Sequence, residues 1–283
     1  MDPALTVRAG RTAAMVMLLG GDGVATSPEG TRLVASLDLS SGLELAQIAR
    51  RESPAAAQRI RLRKACIRAW MEEFAGIASP LANNIVVPGA GLAPLALDWC
   101  SQHVQARAIE LDHENVSAKR SLIGLCADAA IANRIQCLDC DLRDIVATEQ
   151  ALRTGGWHSQ ESALWIIEGL SYYISHDQLV SLIRLALGGN RTNRVIMEFS
   201  GPRDALNPAA RAETETYHQF IGKLLGGRDL TITDIDRVTR DSGARIERLV
   251  HPAMIEVQLG LERSFQSSAD SSMRIALLAP LSA

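Results

Sequence analysis

From about residue 84 onward, short apolar runs alternate with stretches whose apolar residues recur at helical spacing. "NIVVPG" reads as a strand, "LAPLALDWCSQ" as a helix, "ARAIEL" as a strand and "HENVSAKRSLIGLCADA" as a helix. "RIQCLDC", "SALWIIEG" and "NRVIMEFS" continue the strands, with "DIVATEQALRTG" and "SHDQLVSLIRLALGG" as the helices between them. Near-continuous apolar strands separated by amphipathic helices predict a parallel sheet buried on both faces, because right-handed crossovers lay helices over it. The expected architecture is a doubly wound, Rossmann-like α/β fold. Its end is less regular: "TITDIDRVTRDSG" reads as a helix, and "ARIERLV" and "MRIALLAP" add two strands, giving a mostly parallel sheet of about seven.

Two segments stand outside this rhythm. Residues 1–80 carry several helical patterns and are expected to form an N-terminal helical cap or lid on a main domain spanning 81–283. The longest of these helices is predicted from Ala55 to Phe74, with Ser53 as N-cap and Pro54 at the first helical position. The second segment, about 201–230, is a helical insertion after the fifth strand, expected to fold over the strand ends.

At 283 residues the chain suits one large domain or a domain with an appended subdomain, and aromatics at 4% leave the core mostly to Ala, Leu, Ile and Val. Lys and Arg total 29 against 32 Asp and Glu, a net charge of −3 without a single-sign tail, which disfavours generic nucleic-acid binding. The apolar stretch from Ala13 to Leu19 lies between Asp2 and Asp22 and is too short to span a bilayer, so no membrane partner is expected and the protein reads as soluble and cytoplasmic. Five cysteines without framework spacing fit a reducing compartment. Cys137-x-x-Cys140 falls on a strand, whose period of two would put its thiols on opposite faces, so no metal is expected there.

In open α/β sheets, ligands bind beyond the carboxyl ends of the strands. After the first strand comes Gly89-Ala90-Gly91, where missing Cβ atoms let backbone approach a ligand. Glu110 and Asp112 end the second strand, about twenty residues on, at the distance from which an acid accepts ribose hydroxyls. Asp141 follows the third strand, and Glu168 and Gly169 the fourth. Carboxylates at successive strand ends, with no Lys or Arg in the glycine turn, cradle pyrophosphate poorly. They better suit a cofactor with a cationic centre, a ribose diol and an exocyclic amine, as in S-adenosylmethionine.

These blocks resemble the leucine carboxyl methyltransferase family and its bacterial small-molecule relatives, within the class I S-adenosylmethionine-dependent methyltransferases. The resemblance runs from about Arg61 to Arg184 through "VVPGAG", "AIELDHENVSAKRSLI", "DCDLRDI" and "LWIIEGLSYYIS", in matching order. It implies that Gly89, Ala90 and Gly91 line the methionine and ribose side, that Asp112 beside Glu110 accepts the ribose hydroxyls, and that Asp141 with Leu142 binds the adenine edge. Glu168, followed by Gly169, would face the methionyl ammonium or order the site. Arg63 would bind the cofactor carboxylate, with Arg61 one step away as its rival. Two features depart from the pattern: Pro88 precedes the glycines, and the Asp-x-x-x-Arg that usually follows them is missing.

Further candidates lie outside those roles. Arg50, Arg51, Arg59, Arg61, Arg63, Lys64 and Arg68 face a single acid, Glu52, along one run. On a helix most of these are solvated, with one or two turning inward to hold carboxylates of cofactor or substrate. Tyr172 and Tyr173 follow the fourth strand; one is expected in the core and the other in the pocket. His218, in the insertion, is either a general base for a hydroxyl acceptor or a surface histidine. Glu198, at the fifth strand's end, either caps the insertion or touches substrate.

The reaction these residues imply is methyl transfer to an oxygen of a small molecule, in secondary metabolism. A carboxylate acceptor is favoured over a hydroxyl, because no dedicated histidine sits in the matching blocks. A nicotinamide-dependent oxidoreductase is the first alternative, weakened because "GAGLAP" lacks the third glycine at dinucleotide spacing. A non-catalytic S-adenosylmethionine-binding protein is the second. The sequence leaves the oligomeric state open, a homodimer being the assembly to test.

Overall fold

A computed structural model describes residues 6–76, 83–224, 226–227 and 229–281 of the chain. The expected boundary near residue 80 lies outside the described residues. A first group of elements contains β1 (Val7–Arg8), α1 (Arg11–Gly20), α2 (Pro28–Ala35), β2 (Leu37–Asp38), α3 (Leu43–Glu52) and α4 (Ala56–Gly76). Next come β3 (Asn84–Pro88), α5 (Leu95–Gln102), β4 (Arg107–Asp112), α6 (Val116–Cys126), α7 (Ala129–Ala132), β5 (Ile135–Asp139), α8 (Ile145–Thr154), β6 (Leu164–Ile167), α9 (His176–Leu187) and β7 (Arg194–Ser200). The chain closes with α10 (Pro208–Leu224), α11 (Ile235–Ser242), β8 (Ala244–Val250), α12 (Pro252–Gln258) and β9 (Met273–Pro280).

The main sheet has seven strands in the order β5-β4-β3-β6-β7-β9-β8. Strands β3 to β7 run parallel, and β9 enters antiparallel between β7 and β8. Strand order therefore reverses between β3 and β6, and the crevice beyond their carboxyl ends is the switch point where a ligand fits.

The apolar strand runs are buried on both faces with a period of two. Ile85 and Val87 join the core on one side and Val86 the core on the other; Leu164 and Ile166 divide from Trp165 and Ile167 in the same way. The CxxC pair follows that division: Cys137 belongs to the first core and Cys140 to the second. Local signals set the helix starts. Ser175 and Gln178 form a reciprocal capping box on α9, Asp144 caps α8 through two backbone amides, and Ser27 caps α2 with Pro28 behind it.

A third core joins α1, α3 and α4 to the insertion helix α10 through Met15, Leu45, Ile60 and Ile221. The first group of helices is pinned to the sheet layer by Asp98 of α5, which is buried. Its carboxylate accepts from the Thr26 and Ser27 amides and the Ser27 hydroxyl, and Arg68 of α4 lies 3.4 Å away. Ser53 does not cap α4 as expected. It is the C-cap of α3, and its hydroxyl donates to Glu213 of α10, the carboxylate that also pairs with Arg59. Among the described residues no helix is long and apolar enough to cross a membrane, and no cluster of His, Cys, Asp or Glu has the makings of a metal site.

Candidate functional site

A cavity of about 840 Å³ opens beyond the ends of β3, β4, β5 and β6, roofed by residues of α1 and α4. Its floor is the glycine turn. Pro88 ends β3 in register with Leu111, and the Leu111 carbonyl then accepts from the amides of Gly89, at 2.8 Å, and Ala90, at 3.3 Å. Gly91 donates its amide to Asp112 Oδ2 at 2.7 Å. The other Asp112 oxygen accepts from the amides of His113 and Glu114. Asp112 thus orders the turn itself, which explains how it keeps its shape without the missing polar pair. Gly89 and Gly91 have φ of +69° and +50°, in the left-handed region that disfavours side chains. A Cβ on Gly89 would also lie 3.1 Å from Leu170, whereas one on Gly91 would enter open space.

The acids along the strand ends differ in availability. Glu110 lines the cavity but is buried and already engaged: Lys119 Nζ lies 2.7 Å from it, and the Cys137 thiol donates to it at 3.4 Å. Asp141 is half-exposed and receives a two-pronged contact from Arg143, whose Nη2 comes to 2.6 Å. The hydrogen bond from Arg143 holds its carboxyl down at about 2. Leu142 beside it packs partly against the second core while still lining the cavity.

Beneath the helical cover the charges are buried and matched. Arg63 turns inward, its Nε 2.9 Å from Glu168 Oε1 and its Nη1 3.5 Å from Glu198 Oε2. The first contact is an ion pair without hydrogen-bond direction. Arg61 points away and donates to Gln58. Lys64 adds a second cation to Glu168 at 2.9 Å. Burial works to raise Glu168, but Lys64 and Arg63 together hold it at about 2. Glu198 moves the other way: burial raises it above the ordinary glutamate range, against the pull of Arg63 and of a hydrogen bond from the Tyr172 hydroxyl. Gly169 donates its amide to the second Glu198 oxygen at 3.1 Å.

The basic run is therefore less solvated than its sequence implied. Arg59, Arg63, Lys64 and Arg68 all turn inward, and each meets an acid of the chain itself. Tyr172 packs against the third core, as expected of one of the pair, and both tyrosines line the cavity; Tyr173 remains half exposed. Both also wall a smaller cavity of about 120 Å³ that shares Arg63 and Gly169 with the large one. His218 lines this smaller cavity and not the large one, and it is buried rather than on the surface. Burial, then Arg203 at 3.1 Å from Nδ1, pulls it down to about 4, so it is neutral at ordinary pH.

The pairing of Lys64 with Glu168 and the burial of Glu198 went unread in the sequence. The signals were present: basic residues pair at helical spacing as 59 with 63 and 64 with 68, and Glu198 is the one charge inside the apolar run "VIMEFS".

The leucine carboxyl methyltransferase family model matches residues 22–186. Among solved structures, a candidate methyltransferase from Thermobifida fusca aligns with TM-score 0.67 at 13% identity, covering 94% of this chain and 98% of that one. A DUF574 family protein from Streptomyces avermitilis gives 0.64 at 14% identity, with 96% and 98% covered. The pyocyanin biosynthetic protein PhzM gives 0.50 at 15% identity, with 99% and 74% covered. No curated protein matches the chain by sequence. At these identities the structural likenesses show the fold, that of class I methyltransferases.

Proposed function

Because this chain belongs to the leucine carboxyl methyltransferase family, we propose that it transfers a methyl group from S-adenosylmethionine to an oxygen of a small molecule, in secondary metabolism. The observation that carries the reading is the ordered strand-end ring, in which Asp112 is fixed on the Gly91 amide and Asp141 and Glu168 face the same cavity.

The residues present fit that cofactor. Gly91 leaves open space where a side chain would project, so backbone can lie against a bound molecule. Asp112 is held by three backbone amides and keeps a lone pair on Oδ2 for a ribose hydroxyl. Asp141 would take the exocyclic amine once Arg143 shares it, with Leu142 against the ring. Glu168 and Arg63 would meet the methionyl ammonium and carboxylate. The cofactor brings a methyl on a sulfonium, so the leaving group is already built in. The protein's contribution is to hold the acceptor oxygen in line with that methyl and to keep water away.

A carboxylate acceptor needs no base, whereas a hydroxyl does, and Glu198 lines the smaller cavity. The five free, buried thiols suit work in the cytoplasm. Calorimetric titration tests the cofactor assignment: S-adenosylmethionine binds and NADH does not. Binding of NADH without S-adenosylmethionine would overturn it.

A further inference from the structure

The smaller cavity bears on the acceptor. Its charged lining groups are Arg59, Arg63 and Glu198, and its neutral polar ones include Tyr172, Tyr217 and His218. Both cations are already matched, Arg59 by Glu213 at 2.8 Å and Arg63 by Glu168 and Glu198. Lys64 beside them is held by Glu168. A carboxylate entering here would meet the buried Glu198, and among the described lining residues each cation already holds an acid of the chain, so its desolvation cost is large. A hydroxyl would instead meet a hydrogen-bonded chain: the Tyr172 hydroxyl, on the wall common to both cavities, donates to Glu198.

Resting on the methyltransferase reading above, we infer that the acceptor is a neutral hydroxyl compound seated in the smaller cavity, and that Tyr172 relays its proton to Glu198. As the acceptor oxygen's lone pair forms the new C–O bond to the methyl, the methyl–sulfur pair stays on sulfur. The acceptor proton passes to Tyr172 Oη while the tyrosine's own proton passes to Glu198 Oε1. The products are a methyl ether, neutral S-adenosylhomocysteine and a protonated Glu198, which later returns its proton to solvent. Tyr172 is the catalytic residue here, because it touches the acceptor.

Glu198 is faced by Arg63 from α4, by Glu168 and Tyr172 from the loop after β6, and by Tyr217 and His218 from α10. Burial outweighs these partners and moves Glu198 toward neutrality, which makes it a better proton acceptor than an exposed glutamate.

The test uses the full chain with two probes small enough for the cavity, phenol and benzoic acid, with products identified by mass. The expected product is the methyl ether, with no methyl ester. Its rate rises with pH through a value above the ordinary glutamate range. Glu198→Gln and Tyr172→Phe each lower kcat by about 100-fold or more, read at saturating S-adenosylmethionine so that its affinity does not enter; Glu198→Asp restores part of the rate. Formation of the ester, or an undiminished ether rate in Glu198→Gln, would overturn the relay. Failure of the wild-type chain to bind S-adenosylmethionine would instead overturn the methyltransferase reading.

Discussion

On the rim formed by β4 and β5, Asp112 and Asp141 stand partly in solvent and are held by backbone amides and by Arg143. Under the helical cover, Glu168 and Glu198 are buried among cations and a tyrosine. The rim acids need less from the rest of the fold: Arg143 holds Asp141 from two residues on, and Asp112 takes the His113 and Glu114 amides beside it together with the Gly91 amide of the neighbouring strand's turn. The buried pair depends on α4, a helix far away in sequence. Two glutamates sharing Arg63 there diverge: Lys64 holds one down, and burial pushes the other up. Environment, not residue type, sets each one's protonation.

Removing one member of each set separates them most sharply. Glu168→Ala leaves Arg63 and Lys64 buried without their shared acid and is expected to cost about 3–5 kcal/mol in denaturant unfolding. Asp141→Ala should leave the unfolding midpoint where it is. Equal midpoints for the two variants would erase the distinction between rim and interior.

Because Asp141 is also held at about 2, acid titration isolates the buried acid only by comparison with the isosteric Glu168→Gln. The Glu168 value in the fold lies below its unfolded value, so its stabilisation is complete above the ordinary glutamate range and is lost as pH falls toward about 2. The loss is on the order of 2 kcal/mol, and Glu168→Gln should lack it. Glu198 acts with the opposite sign, its raised value costing stability as pH climbs through it. A wild-type profile identical to that of Glu168→Gln would show that the buried acid is not held down.

The two glycines of the rim are expected to differ in turn. Each alanine substitution imposes about 1–2 kcal/mol of left-handed strain. Gly89→Ala adds the contact with Leu170 and should unfold at lower temperature than Gly91→Ala. The smallest effect belongs to Arg143→Ala: an unchanged melting temperature and slightly tighter S-adenosylmethionine binding, because the guanidinium no longer competes for Asp141. Weaker binding by calorimetry would mean that Arg143 itself holds the ligand.

The same division explains what could be read from sequence. Strands β3 to β7 were legible because double-sided burial writes them as apolar runs, and Gly89, Gly91, Asp112 and Asp141 follow those runs directly. Most of their partners lie nearby, as the His113 and Glu114 amides do for Asp112 and Arg143 does for Asp141. The interior was not legible, because its partners are chosen by tertiary packing. Lys64 reaches Glu168 across 104 positions, Arg59 meets Glu213 across 154, and Ser53 turned from a helix start to α10. His218 looked like a surface residue because nothing local shows that α10 buries it.

The most direct measurement is calorimetric titration of S-adenosylmethionine into the wild-type chain and the Asp112→Ala, Asp141→Ala double variant. Loss of two charge-assisted acceptors predicts binding weaker by about 100-fold or more, with the double variant still folded. Undiminished affinity in that folded variant would contradict the placement of the cofactor on the strand-end ring.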